Sequence, residues 1–192
     1  SYADEIQKKD LEGKINAHEI YKSIISSIPV DYDKGLFHIR GSLREKIWKL
    51  ERYFGWNKFF FSQFGQDKFI LDNFFKNLKN GFFVEIGAYD GINGSNCFHF
   101  EKFLGWNGIA IEPSINQFEK LKNNRSCQCV NKAISDKKEK VEFVDVTDGL
   151  KMMSGLNKNF YQKTLEIIKN DKRSKTKIYN VETATFREVI KD

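Results

Sequence analysis

Cysteine and histidine are scarce in this chain of 192 residues, and each scarcity closes off a class of function. The three cysteines, Cys97, Cys127 and Cys129, are odd in number and form no C-x-x-C pair, so neither a disulfide framework nor a zinc ribbon is indicated. Cys127 and Cys129 alternate within "CQCVNKAIS" as same-face strand residues do, and all three read as reduced thiols in a reducing compartment. His18, His38 and His99 are scattered without ligand spacing, so no metal set is expected. No apolar run approaches the roughly 20 residues of a membrane helix. The opening "SYADEIQKKD" lacks the pattern of a secretory leader, so the expected location is cytoplasmic. Charge of one sign is not segregated either. The net +6 comes from 32 basic and 26 acidic residues that interleave along the chain. The densest basic stretch, "KNDKRSKTK" (169–177), reads as an exposed link, and no nucleic-acid partner is expected.

What is present is ordinary for a soluble globular chain: 40% hydrophobic and 30% charged residues, enough for one domain with an extension. Residues 1–57 carry two helical stripes. Ile20, Ile24, Ile25 and Ile28 form the first, ended by Pro29; Leu43, Ile47, Leu50 and Phe54 form the second, with Ser42 as its N-cap. This segment reads as a helical N-terminal extension through which the chain could form a homo-oligomer.

From residue 58 to 192 strand and helix alternate. "DKFILDNFFKNL" places Ile70, Phe74 and Leu78 on one helical face, stopped by Asn80-Gly81. "FFVEI" (82–86) reads as a short buried strand, and "SNCFHFEKFL" as a helix burying Phe100, Phe103 and Leu104 and closed by Gly105. "GIAIE" (108–112) is a second strand, followed by a helix with a Ser114/Gln117 capping box. "CQCVNKAIS" and "KVEFVDV" complete four strands, and Thr185 with Glu188 caps a last short helix. Such a β-α-β-α-β run predicts a parallel sheet covered on both faces, with ligands beyond the carboxyl ends of the strands. Glu85 to Asp90, and Glu112, lie at those ends.

A buried carboxylate at Glu85 needs a partner. The dinucleotide fingerprint G-x-G-x-x-G fails here, because the positions after Gly87 that should be glycine are Tyr89 and Ile92. A phosphate-free nucleotide fits better. S-adenosylmethionine carries an ammonium, a sulfonium and a ribose diol, which suit an acid at the first strand end, a glycine, and an acid at the next strand end. The alternative is that Glu85 and Glu112 only cap loops through hydrogen bonds.

Five stretches carry a resemblance: "SQFGQD" (62–67), "FVEIGAYDGINGSN" (83–96), "FEKFLGWNGIAIEP" (100–113), "NKAIS" (131–135) and "SGL" (154–156). In this order they resemble the motifs of FkbM-type methyltransferases, over roughly residues 60–190. The resemblance implies an α/β, Rossmann-like class I methyltransferase sheet, of which this chain holds the N-terminal portion. It implies an S-adenosylmethionine-dependent O-methyltransferase acting on a hydroxyl of a sugar, glycan or glycosylated metabolite. A divalent metal is compatible but not indicated. Carried over by position, Glu85 and Gly87 line the methionine end, with Asp90, Ser95 and Asn96 near its carboxylate, and Ala88 belongs to the same cofactor-binding set. Glu112 holds the ribose, Pro113 and Ala133 border the adenine, and Gln63 belongs to a lid. For Ser62 and Asp67, capping of the helix beginning near residue 67 is an equal reading. The family pattern continues into a strand ending Asp-x-Glu-Gly, where the acid that deprotonates the acceptor would lie; Asp90, Asp145 and His99 are weaker substitutes within this chain. The strand expected beside the first is absent, which predicts an exposed edge there. Two rival functions are a non-catalytic Rossmann-like interaction module and, less favoured, a nicotinamide-dependent oxidoreductase.

Overall fold

The computed structural model describes Glu19, Trp48, Lys49 and residues 51–191 apart from Asn77 and Tyr161. Most of the helical extension, including Ile20, Ile24, Ile25, Ile28, Leu43, Ile47 and Leu50, lies outside the described residues, as does any oligomer contact through it. Contacts divide the chain into two units: Ser1–Phe59 with Phe64–Gln66, and Phe60–Gln63 with Asp67–Asp192.

In the first unit Trp48 is buried beneath Gly65, whose φ is +81°. A methyl group at Gly65 would come within 2.9 Å of the indole, so this backbone accepts only glycine comfortably. Phe54 stacks on Trp56 at 4.9 Å between ring centroids, and the Asn57 amide donates to Glu51.

The second unit is an α/β assembly. Its elements are α1 (Gln66–Asn73, whose first residue belongs to the first unit), β1 (Phe82–Ile86), α2 (Phe98–Leu104), β2 (Asn107–Ile111), α3 (Ile115–Asn124), β3 (Gln128–Val130), β4 (Ala133–Ile134), β5 (Lys140–Asp148), β6 (Gly155–Leu156), α4 (Gln162–Asn170), β7 (Lys175–Ala184) and α5 (Phe186–Lys191). β1, β2 and β3 form a parallel sheet, with Glu85 opposite Ala110 and Ile86 opposite Ile111. The remaining strands form a second sheet in the order β4-β7-β5-β6. In it β7 runs parallel to β4 but antiparallel to β5, and β5 antiparallel to β6. The expected parallel sheet is therefore real but three strands wide, and a mixed sheet stands beside it. Among the described residues no helix is long and apolar enough to cross a membrane.

The two faces of the parallel sheet carry separate cores. Phe83, Ala88, Phe100, Trp106, Ala110 and Leu121 pack on one side under α2 and α3. Ile109, Ile111, Ala184 and Val189 pack on the other, under α5. Ile111 and Leu121 are fully buried, each contributing about 1.5–3 kcal/mol relative to exposure. β1 pairs only with β2 among the described strands, and Phe82 and Ile86 are 59% and 57% exposed, as an open edge implies.

Several local expectations are corrected. α1 stops at Asn73 rather than near Leu78: the N–H groups of Phe74 and Phe75 both converge on the Ile70 carbonyl, which ends the ladder. Phe74 and Leu78 are exposed, so their helical spacing has no packing counterpart. Phe103 is likewise exposed on α2, whereas Phe100 is buried and Gly105 closes the helix in a left-handed conformation. "CQCVNKAIS" is two strands in two sheets, because the Asn131 amide turns aside to donate to the Glu112 and Pro113 carbonyls. The basic stretch is only partly a link, since Lys175–Ala184 is the longest strand, paired along β5.

Candidate functional site

The carboxyl ends of β1 and β2 are tied together by backbone. Gly87 and Ala88 both donate N–H to the Ile111 carbonyl at 2.9 Å, so the turn after β1 is seated on the end of β2. Gly87 has φ +73° with nothing within 4 Å of where a side chain would begin, so glycine meets the dihedral and leaves the space in front of the turn clear. The next residues are bonded inward. Tyr89 donates to Glu112, Gly91 to Ala88, Ile92 and Asn93 to the Asp90 carboxylate, Gly94 to Phe61, Ser95 to Ile92, and Asn96 to Glu85. Apart from Asp90, every N–H from Gly87 to Asn96 is committed within the domain. A pyrophosphate cradle requires several such groups free and convergent, and they are not free here.

Glu85, 7% exposed, meets an internal cation. Arg125 follows α3 directly, and its Nη1 donates to Glu85 Oε2 at 2.8 Å, to the Gly91 carbonyl at 3.1 Å and to Ser95 Oγ at 3.3 Å. Arg125 Nε donates to Glu101 on α2, and the guanidinium lies over the rings of Phe83 and Phe98. Ser95 Oγ lies 2.8 and 2.9 Å from the two Glu85 oxygens and accepts from the N–H groups of Cys97 and Phe98, which start α2. One guanidinium thus pins β1, the turn and α2 together. Burial alone would raise the Glu101 carboxyl, but the Ser126 N–H, Arg125 and the Ser126 hydroxyl hold it down at about 2. Despite burial, the two carboxylates push Arg125 above its ordinary value.

Glu112 has a different setting. It follows β2 directly, is 6% exposed, and takes part in no ion pair among the described residues. Its Oε2 accepts the Tyr89 N–H and its Oε1 the Ser114 N–H, both at 2.8 Å. Burial pushes its pKa up; the two N–H bonds oppose this and nearby Asp145 adds to it. Tyr89 holds φ +52°, strained for an aromatic residue, and its N–H on Glu112 is what that conformation delivers. Asp145 on β5, 2% exposed, accepts from Ser114 Oγ at 3.1 Å, Tyr179 Oη at 2.9 Å and Ser154 Oγ at 3.4 Å. A carboxylate offers about four lone-pair directions. Glu112 has used two, one per oxygen, and is held in a fixed plane by backbone.

The other expected site residues divide. Gln63 lies beside the turn: its amide is 2.7 Å from Met152 Sδ, and its Cγ is 3.4 Å from where a Gly94 side chain would begin. The Asn96 side chain is exposed beside the turn, and Pro113 is half-buried with its carbonyl taken by Asn131. Asp90 closes its own turn, with Asn93 on both carboxylate oxygens and Asn124 on its carbonyl. Ala88 and Ala133 are buried in separate cores, with no surface of their own to offer. Asp67 accepts from the Phe61 and Ser62 N–H groups and the Ser62 hydroxyl, locking the segment before α1. Of the substitute bases, Asp145 is enclosed by hydroxyls and His99 stacks on Phe60 at 4.4 Å. Gln117 completes only half the expected capping box: its N–H reaches Ser114 Oγ at 3.4 Å, but Glu112 takes the Ser114 N–H that a reciprocal bond would need.

Arg125 and Glu101 are absent from the expected set, although one signal pointed to Arg125. A buried Glu85 demands a cation, and Arg125 stands directly behind an amphipathic helix that must pack on the same sheet. Among the described residues no cluster of three or more His, Cys, Asp or Glu side chains could hold a metal ion. No family model, curated protein or solved structure matches the chain.

Proposed function

We propose that the chain binds S-adenosylmethionine at the ends of β1 and β2 and serves an O-methyltransferase acting on a hydroxyl of a sugar, glycan or glycosylated metabolite. The observation that carries this reading is Glu112: a buried carboxylate, held in plane by the N–H groups of Tyr89 and Ser114, with one unused lone pair on each oxygen. Two ribose hydroxyls are the donors that such a group accepts.

The same turn argues against a pyrophosphate-bearing nucleotide, because its N–H groups are already bonded. The cofactor supplies an activated methyl group, and these residues bind and orient it. Glu112 receives the ribose, Gly87 leaves the approach open, and Gln63 and Asn96 stand beside the turn. Glu85 acts indirectly in this reading. Its charge is spent on Arg125, so it shapes the turn through Ser95 and Asn96 rather than meeting the methionine ammonium itself.

Calorimetric titration tests the proposal with S-adenosylmethionine, S-adenosylhomocysteine and NAD as separate titrants. The two adenosyl ligands are expected to bind and NAD is not. Glu112→Ala should weaken the adenosyl ligands by about 100–10,000-fold, the loss of two hydrogen bonds to a charged group. Equal binding of NAD, or no adenosyl binding by folded protein, overturns it.

A further inference from the structure

Asp145 is the second buried carboxylate at the start of α3, and the function proposed above gives it no part. It lies on β5, 2% exposed. Its Oδ2 accepts the Tyr179 hydroxyl at 2.9 Å and the Ser114 hydroxyl at 3.1 Å. Each of these hydroxyls takes in turn an N–H from the first turn of α3: Ile115 donates to Tyr179 Oη at 3.2 Å, and Gln117 to Ser114 Oγ at 3.4 Å. Ser154 Oγ adds little, since a hydroxyl has one proton and the Lys151 carbonyl at 2.9 Å takes it. Ser114 therefore holds both acids at once, Glu112 by its N–H and Asp145 by its hydroxyl.

No cation balances the two. Among the described residues neither carboxylate has an ion pair. Arg125 is spent on Glu85 and Glu101, Lys151 faces Asp148, and Lys177, opposite Asp145 across the β5–β7 pair, is exposed and forms no ion pair with it. The other titratable neighbours are Tyr89 and Tyr179, whose phenols burial above all pushes above their ordinary value, so both are neutral. Two like charges joined through one serine repel; what holds them is the start of α3, where unspent N–H groups favour negative charge. We infer that Asp145 is a positioning residue for Glu112: by anchoring Ser114 it aims the Ser114 N–H at Glu112 and keeps that carboxylate in the plane a ligand diol meets. The diol rests on the function proposed above; the coupling of the two acids does not. Beside an ionised Asp145, Glu112 takes up a proton at a higher pH than beside a neutral residue. A protonated Glu112 turns one oxygen into a donor and no longer suits two hydroxyl donors.

The test is a ligand-free NMR titration of the full chain from about pH 8 to about pH 4, read at the Glu112 and Asp145 carboxyl carbons and the Tyr89 and Ser114 amides. Each carboxyl signal is expected to show the other's step, as coupled groups do. Asp145→Asn, which keeps an acceptor for both hydroxyls, should lower the midpoint seen by the two amides by about one pH unit, a shift that a merely structural role would not produce. Calorimetry with S-adenosylhomocysteine at about pH 8 reads the positioning itself. Asp145→Ala should weaken binding about tenfold, the worth of one hydrogen bond, and Asp145→Asn should restore most of it. An unchanged midpoint in Asp145→Asn, carboxyl signals that titrate independently, or undiminished affinity in Asp145→Ala overturns the inference. Absence of adenosyl binding by the unaltered chain overturns the function proposed above instead, and the ligand-free titration still decides the coupling of Glu112 to Asp145.

Discussion

Replacing Arg125 by methionine would leave two buried carboxylates, Glu85 and Glu101, facing each other across an apolar side chain. Breaking a buried ion pair by removing one partner costs about 3–5 kcal/mol. Protonation limits the damage. Neutralising one carboxyl with an ordinary pKa near 4.3 at pH 7 costs about 1.36 kcal/mol for each of ~2.7 units, close to 4 kcal/mol. At pH 5 the same step costs about 1 kcal/mol. The expected loss for Arg125→Met is therefore about 4 kcal/mol at pH 7, much of a domain's typical ~5–15 kcal/mol, shrinking to about 1–2 kcal/mol at pH 5. Urea unfolding followed by tryptophan fluorescence measures it, since Trp106 is buried in the same core. The triple variant Glu85→Gln, Glu101→Gln, Arg125→Met should recover most of the pH 7 loss by removing the charges. A loss below about 1 kcal/mol at pH 7, or one of equal size at both pH values, would refute the reasoning that Arg125 is a charge clamp.

Two further outcomes follow from the same loop. Gly91→Ala would combine a φ of +84° with a Cβ 2.8 Å from both Leu121 Cδ1 and Arg125 Cγ, and should cost about 2–4 kcal/mol in urea unfolding. Glu101, held near 2 when folded, contributes stability that is fully present above its unfolded pKa and lost as pH falls through about 2. Glu112, whose value is raised, works in the opposite direction: stability is gained as pH falls through its folded pKa. Urea midpoints measured between neutral and strongly acid pH should therefore flatten at the acid end in Glu101→Gln.

Much of this architecture was written locally. The capping signals at Ser114, Gly105 and Thr185 with Glu188 act over three or four residues, and all three mark helix ends in the structure. Glu112 was legible as a strand-end acid because strand, acid and proline are adjacent in the chain. Arg125 was not, because its partner Glu85 is 40 residues away and only the packing of α3 on the sheet brings them together. The over-long α1 has the same origin. Helical spacing reports which residues would share a face, not whether anything covers that face, and Phe74 and Leu78 are exposed. β7 was obscured by its own first residues, "KTK", which read as link although the strand pairs there with Asp145, Val146 and Asp148.

The central claim is that Glu112 is held ready for a diol by two backbone N–H groups, and amide NMR reads those groups directly. S-adenosylhomocysteine added to labelled protein should shift the Tyr89 and Ser114 amides most, together with Gly87, because their hydrogens sit on or beside the carboxylate we propose as the ribose acceptor. Glu112→Gln should abolish those shifts while leaving the rest of the spectrum intact. Saturating shifts elsewhere with Tyr89 and Ser114 unmoved, or no shifts at any ligand concentration, would contradict the claim.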